Sequence, residues 1–327
     1  MPNSTTQKAK SVQDNDSVYS VVIPVYRSED IVGKTIDRVI AFFESKTWNF
    51  EIILVNDNSP DGSWWVIRER AENDPRIVAI NMGKNFGQHT ANIVGFRHSK
   101  GDCVITMDDD LQNPPEEIEK LIEKFHEGFD LVVGTFGEKK HAAHRRLGSG
   151  LMQMINKSIF PAPKGFRHTN FRLIGRAVVE RIVADKNHYP YTSGMAMMFS
   201  SRQTNVAVKH DKREVGHSNY NMKRLVKLAW SIMFNYSALP IRVLVTMGFV
   251  ISFLSLLIAA FMVVRALVLG SVGNGWTSLM LVISLSNAVM FLLISIIGEY
   301  LAVLSRQVRM DRHFFVNEVV GYDESDS

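Results

Sequence analysis

The sequence predicts an α/β protein: a mostly parallel sheet with helices on both faces, followed by a C-terminal hairpin of two transmembrane helices. Three observations predict it. Between Val18 and Val215, short β-rich runs alternate with segments whose apolar residues recur at helical spacing. Near the C-terminus, two apolar stretches exceed the roughly 20 residues needed to cross a bilayer core. Polar clusters stand at the carboxyl ends of three β-rich runs, where open α/β sheets collect their ligands.

The elements follow in order. Residues 1–17 are polar and lack an apolar h-region, which predicts a disordered tail and no cleavable signal peptide. Residues 18–217 form the predicted α/β domain. Its strands are "YSVVIPVY" (19–26), "FEIILVND" (50–57), "RIVAINM" (76–82), "DCVITMDDD" (102–110) and "DLVVGTF" (130–136). Between them lie amphipathic segments such as "VGKTIDRVIAFFES", an alternation that implies helices covering a parallel sheet.

The fourth strand runs straight into three acids. Strand alternation puts Asp108 and Asp110 on one face, Asp109 on the other, and returns Gln112 to the first. Neighbouring carboxylates repel, which favours a shared proton or a bound cation. A plainer alternative is a polar strand end, with Asn113 or Pro114 starting the next helix.

Residues 218–240 read as an amphipathic helix lying at a bilayer surface. The spans are then about 241–269 and 277–304, with Arg265 and Glu299 inside them. Lys223, Arg224, Lys227 and Arg242 stand before the first, Arg306, Arg309 and Arg312 after the second, and the connecting "GSVGNGW" has no basic residue. By the positive-inside rule both flanks are cytoplasmic, leaving 306–327 as a cytoplasmic tail. The net charge of +4 calls for no nucleic acid partner, and the lone Cys103 fits a reducing compartment. A multi-pass protein of an inner membrane, with the α/β domain on the cytoplasmic side, is the expectation. Homo-oligomerisation stays open.

The runs "VVIPVYRSED", "ILVNDNSPDGS", "NFGQHTANIVGF", "MDDDLQNPPEEI" and "FRLIGRAVVERI" resemble the successive motifs of family 2 glycosyltransferases with the Rossmann-like GT-A fold. The branch they resemble contains dolichol-phosphate mannose synthase and the bacterial polyprenyl-phosphate glycosyltransferases. The resemblance implies Mg²⁺ or Mn²⁺ at Asp108 and Asp110, with Gln112 nearby, neutralising a departing nucleoside diphosphate. It also implies nucleotide-sugar contacts at Pro24, Tyr26, Val55, Asp57, Lys84 and the acidic row Asp108–Asp110. The acid usual at position 28 is a serine here, so Glu29 is the expected substitute. Asp57 has an alternative reading as a turn-capping residue. Asp109 stands where similar enzymes carry alanine.

The basic run "EKKHAAHRR", with Arg145 and Arg146, looks like the acceptor-phosphate loop of similar enzymes, although a solvated charge run would read the same way. "KREVGHSNY" resembles their phosphate motif, which nominates Arg213, Ser218 and Tyr220, with Arg213 and Asp110 carrying the catalysis. Phe136, Asn170 and Asn219 depart from the pattern, and Asn170 weakens any claim to a general base there. A lipid phosphate needs little help from one, since its second ionisation lies at about pH 6. The implied activity is inverting, metal-dependent transfer of a sugar from a UDP-linked donor to polyprenyl phosphate at the bilayer, for glycan modification of the cell envelope such as lipopolysaccharide. Two alternatives compete: a transferase acting on another acceptor, including a processive polysaccharide synthase, and a membrane-tethered scaffold that binds nucleotide-sugars without turnover.

Overall fold

Unbroken aliphatic runs become strands here because both faces of the sheet are covered, so successive side chains are buried alternately on opposite sides. In β1 (Val18–Val25), Val21, Ile23 and Val25 enter one core while Val22 enters the other. The computed structural model describes residues 17–136, 159–160, 163, 165–185, 190–211, 275–309 and 315–321, with scattered positions between 233 and 268.

After β1 come α1 (Val32–Lys46), β2 (Asn49–Asn56), α2 (Ser63–Asn73), β3 (Ile77–Met82), α3 (Gln88–His98), β4 (Cys103–Thr106), α4 (Ile118–His126) and β5 (Leu131–Thr135). Then follow β6 (Arg172–Gly175), α5 (Arg176–Ala184), α6 (Thr192–Phe199), β7 (Gln203–Ala207), α7 (Trp276–Arg309) and β8 (Val316–Val320). The eight strands form one sheet in the order β7-β5-β6-β4-β1-β2-β3-β8. Pairings β1–β2, β1–β4, β2–β3 and β5–β7 are parallel, while β6 and β8 run antiparallel to their neighbours.

The helices bury the faces their periodicity predicts. α1 buries Val32, Thr35, Ile36, Val39, Phe42 and Phe43 against one face of the sheet. α3 lies on the other face with Ile93, Val94 and Phe96 in the core. It rests close to β1: a Cβ on Gly95 would lie 2.4 Å from Val22 Cγ1. That approach brings the first turn of α3 over the strand ends.

Two expectations are corrected. The fourth strand ends at Thr106, so the acids lie beyond it in a turn. Val22 accepts from Met107 N at 3.3 Å, so β1 offers its even-numbered residues to β4. The next such residue is Pro24, which has no N–H to continue the ladder. Strand alternation therefore does not govern Asp108, Asp109 and Asp110. The second correction concerns 306–327, expected as a tail. Val316–Val320 folds back as β8 against β3, pairing Ala79 with Val320 and Ile80 with Val319, so the sheet draws on residues beyond 217.

Among the described residues, no helix is long and apolar enough to cross a membrane. α7 has 34 residues by its backbone, with side chains described at only some positions. The tail 1–16, the basic run around Arg145 and Arg146, Arg213, Ser218, Tyr220, Asn219, and most of the expected interfacial helix and first span lie outside the described residues.

Candidate active site

Three loops leave the carboxyl ends of β1, β2 and β4 side by side, and each contains a non-glycine residue in the left-handed region: Arg27, Asn58 and Leu111, with φ of 58°, 51° and 55°. Such conformations carry strain and persist where the surroundings over-determine them. The surroundings are hydrogen bonds between the loops. Arg27 N donates to Ser59 Oγ at 2.7 Å and Ser28 N to Ser63 Oγ at 3.0 Å.

Asp109 ties the acidic turn to this frame. Its Oδ2 accepts from Tyr26 N at 3.2 Å and from the Ser28 hydroxyl, and its carbonyl accepts from Thr35 Oγ1 at 2.9 Å. The acid beside Ser28 is thus Asp109, and Glu29 turns the other way to accept from Gly62 N at 2.8 Å. Burial pushes the Asp109 carboxyl up to about 6, against the lowering effect of Ser28 and Tyr26 and with help from Asp108 and Asp110.

That shift has a sign. The folded chain holds this proton up to about pH 6, whereas the unfolded chain releases it near 3.8. The group favours folding most below the lower value, and its contribution is lost as pH rises through the upper one. Asp109→Asn keeps an acceptor oxygen and removes the charge. It is expected to raise stability near neutral pH by roughly 1–3 kcal/mol and to flatten the fall between about pH 4 and 6. Thermal unfolding in the presence of chelator checks this; an undiminished pH dependence would refute it.

Asp108 faces a different set of partners. Its Oδ1 accepts from Gln88 Nε2 at 2.6 Å and Asn170 Nδ2 at 2.8 Å. Burial raises its pKa, repulsion from Asp110 adds to that, and Asn170, Gln88 and Arg172 oppose it. Asp110 Oδ1 accepts from Gln112 N at 3.1 Å, closing the turn that Leu111 distorts. Gln112 stands in the same turn, and its carbonyl accepts from Asp211 N at 3.0 Å.

The remaining expected residues divide. Tyr26 is 43% exposed at the mouth, with the Arg27 guanidinium 5.5 Å from its ring centroid. Lys84 is exposed on the loop between β3 and α3, and Pro24 is buried in β1. Val55 is corrected: it is fully buried in the sheet, so its side chain cannot touch a nucleotide. Asp57 does not cap its own turn. Its oxygens accept from Phe86 N at 2.7 Å and Gly87 N at 2.8 Å, pinning the loop that carries Lys84. Burial raises its pKa, and those two amides pull it back. Gly87 holds φ at 91° there, a conformation other residues adopt at a cost.

A polar layer beneath the turn escaped the sequence reading. Arg172 is buried in β6, donating to Ser193 Oγ at 2.7 Å and Thr192 Oγ1 at 3.0 Å. Burial lowers its pKa to about 10, which leaves it charged at neutral pH. His89, the second residue of α3, meets Thr192 Oγ1 at 2.8 Å, and burial next to Arg172 and His168 lowers it to about 4, so it is neutral. The faint signal for this layer was its arginine in an otherwise apolar strand.

Among the described residues, no group of three or more His, Cys, Asp or Glu is arranged to hold a metal ion. Two carboxylates from one turn are nonetheless a fitting donor set for Mg²⁺ or Mn²⁺. Such ions are commonly held by one or two carboxylates, with substrate phosphates and water completing the shell. Asp108 and Asp110 supply hard oxygens at the strand ends, where a diphosphate would lie.

The whole arrangement agrees with what the chain resembles. Residues 20–201 match the family described as Glycosyl transferase family 2. The undecaprenyl-phosphate 4-deoxy-4-formamido-L-arabinose transferase of Yersinia pestis (strain Pestoides F) is 32% identical over 312 residues, covering 94% of this chain and 95% of its own. Among solved structures, mannosyl-3-phosphoglycerate synthase from Rubrobacter xylanophilus aligns with 71% of this chain and 75% of its own, at 16% identity and a TM-score of 0.48. Glucosyl-3-phosphoglycerate synthase from Mycobacterium tuberculosis, solved with Mn²⁺, UDP-glucose and phosphoglyceric acid, aligns with 67% and 78%, at 16% identity and a TM-score of 0.46. With an acidic turn at the ends of three parallel strands, and a family match over more than half its length, this chain belongs to glycosyl transferase family 2 and is a glycosyltransferase.

Proposed function

We propose that the chain transfers a sugar from a UDP-linked donor to undecaprenyl phosphate at the cytoplasmic face of a bacterial inner membrane, with inversion at the anomeric carbon. The observation that carries this is the match to a transferase named for that lipid acceptor. It covers 94% of this chain, well past the limit of the family domain at residue 201.

In this reading Asp108 and Asp110 hold the divalent cation, and Tyr26 and Lys84 face the nucleotide. The bound cation would offset the charge gathering on the departing diphosphate. An oxygen of the acceptor phosphate forms the new bond to the sugar, and the bond to the nucleoside diphosphate breaks on the opposite side. The acceptor is largely a dianion at neutral pH, so it needs positioning more than deprotonation, which leaves no base for Asn170 to supply. Arg213, a planar phosphate-binding fork, is assigned to that positioning, together with Arg145, Arg146, Ser218 and Tyr220.

The membrane hairpin belongs to the same proposal. On α7, Met290, Phe291 and Leu292 are 57%, 70% and 49% exposed. Three consecutive residues point in different directions around a helix, so apolar surface is open on more than one side, as lipid contact requires. Tyr300 Oη donates to the Ser237 carbonyl at 2.9 Å, joining α7 to the segment before the first expected span.

The direct test is product formation by purified protein with a panel of UDP-sugars, undecaprenyl phosphate, and Mg²⁺ or Mn²⁺. No transfer across the panel would sink the proposal. Arg213→Ala is expected to reduce the rate at subsaturating acceptor about tenfold to hundredfold, as loss of one charge-assisted contact does. UDP affinity, measured by calorimetry with metal present, should change less. The reverse pattern would move Arg213 to the donor diphosphate.

A further inference from the structure

Asp108 is held by one oxygen. Gln88 and Asn170 both donate to Oδ1, and among the described residues none donates to Oδ2. Asn170 cannot face the other way. Its Oδ1 accepts from Asn92 Nδ2 at 3.1 Å, so a reversed amide would set oxygen against the carboxylate and N–H against N–H. The line from Asn92 through Asn170 to Asp108 therefore has a direction. Its far end is left unsatisfied: Asn92 is fully buried, and its Oδ1 has no partner among the described residues. Native proteins seldom keep a buried orphan acceptor without a purpose.

The donors are also uncharged. A lysine or arginine in their place would neutralise the carboxylate and compete with a cation for it. The nearby guanidinium of Arg172 instead gives its two terminal nitrogens to Ser193 and Thr192.

We propose that Gln88 and Asn170 are positioning residues, a two-amide clamp on Oδ1 that presents Oδ2 of Asp108 to the divalent cation arriving with the nucleotide-sugar. This rests on the metal reading above.

The experiment is a Mn²⁺ titration of UDP binding by calorimetry, alongside transfer rate and thermal unfolding, on the full chain. Asn170→Ala and Gln88→Ala are each expected to raise the half-saturating Mn²⁺ concentration about tenfold, the usual effect of losing a partner behind a metal ligand. Much of the lost rate should return as Mn²⁺ is raised. Gln88 is exposed, so its variant keeps the test alive if Asn170→Ala folds poorly. Unchanged Mn²⁺ titrations in both variants, with Asp108→Asn losing Mn²⁺-dependent UDP binding, would overturn the clamp and leave the metal site standing. If Asp108→Asn also binds UDP and Mn²⁺ as the parent does, the metal reading falls and takes the clamp with it. A lower melting temperature with an unaltered titration would reduce the two amides to packing, and overturns the clamp as well.

Discussion

Asp110→Asn is expected to lower sugar transfer by on the order of a hundredfold or more, with the protein still folded. An asparagine oxygen can go on accepting from Gln112 N, so the turn beyond β4 keeps its shape. What disappears is the negative charge, in a site where a divalent cation and a diphosphate must be brought together. Asp108→Asn should be as damaging. Initial rates with Mn²⁺ and undecaprenyl phosphate, beside a melting curve for each variant, decide it. Near-normal turnover at limiting Mn²⁺ would remove both residues from the metal. Asp109→Ala should fall between these variants and the parent. Family resemblance suggested a milder effect there, and the structure hangs Tyr26 and Ser28 on that carboxylate.

A chain ending at Arg312 is expected to lose roughly 2–4 kcal/mol of stability, from ladder hydrogen bonds of about 1 kcal/mol each and partly buried valines. The deletion removes β8, the 2.7 Å bond from Gly83 N to the Phe315 carbonyl, and the Arg68–Glu318 ion pair at 3.5 Å. Donor affinity should weaken too, because Gly83 begins the loop that Asp57 pins and Lys84 occupies. Melting temperature and UDP affinity both equal to the parent's would show β8 to be dispensable. A truncation before Ile241 carries the same defect, so poor turnover by such a fragment cannot be assigned to the missing hairpin alone.

The central strands were legible because burial on both faces leaves an uninterrupted apolar run, a pattern that survives without any partner in view. β6 and β8 were not. β6 has four residues, one of them Arg172, and β8 is a short half-buried edge whose partner lies far back in the chain. The acidic row announced itself through like-charge crowding, but its facing did not. That depended on Pro24 ending the β1–β4 ladder, a contact between distant positions. Val55 matched a motif by sequence, yet its place in the sheet buries it. Asn170 was visible only as a departure from pattern. Its use, a donor to Asp108, lies 62 positions away and needed coordinates.

The return of the chain to β3 after α7 also sets an order of assembly. β1, β2, β3 and β4 can pair as soon as they leave the ribosome, but the outer edge of β3 has no partner until the segment beyond α7 has been made. Through that interval the nascent domain shows an open apolar edge, the kind of template on which chains join one another. A stalled or clipped product would display it permanently. Completion of the sheet thus marks a chain synthesised past α7, and a protease or chaperone that recognises bare strand edges could tell such chains from shorter ones without consulting the active site.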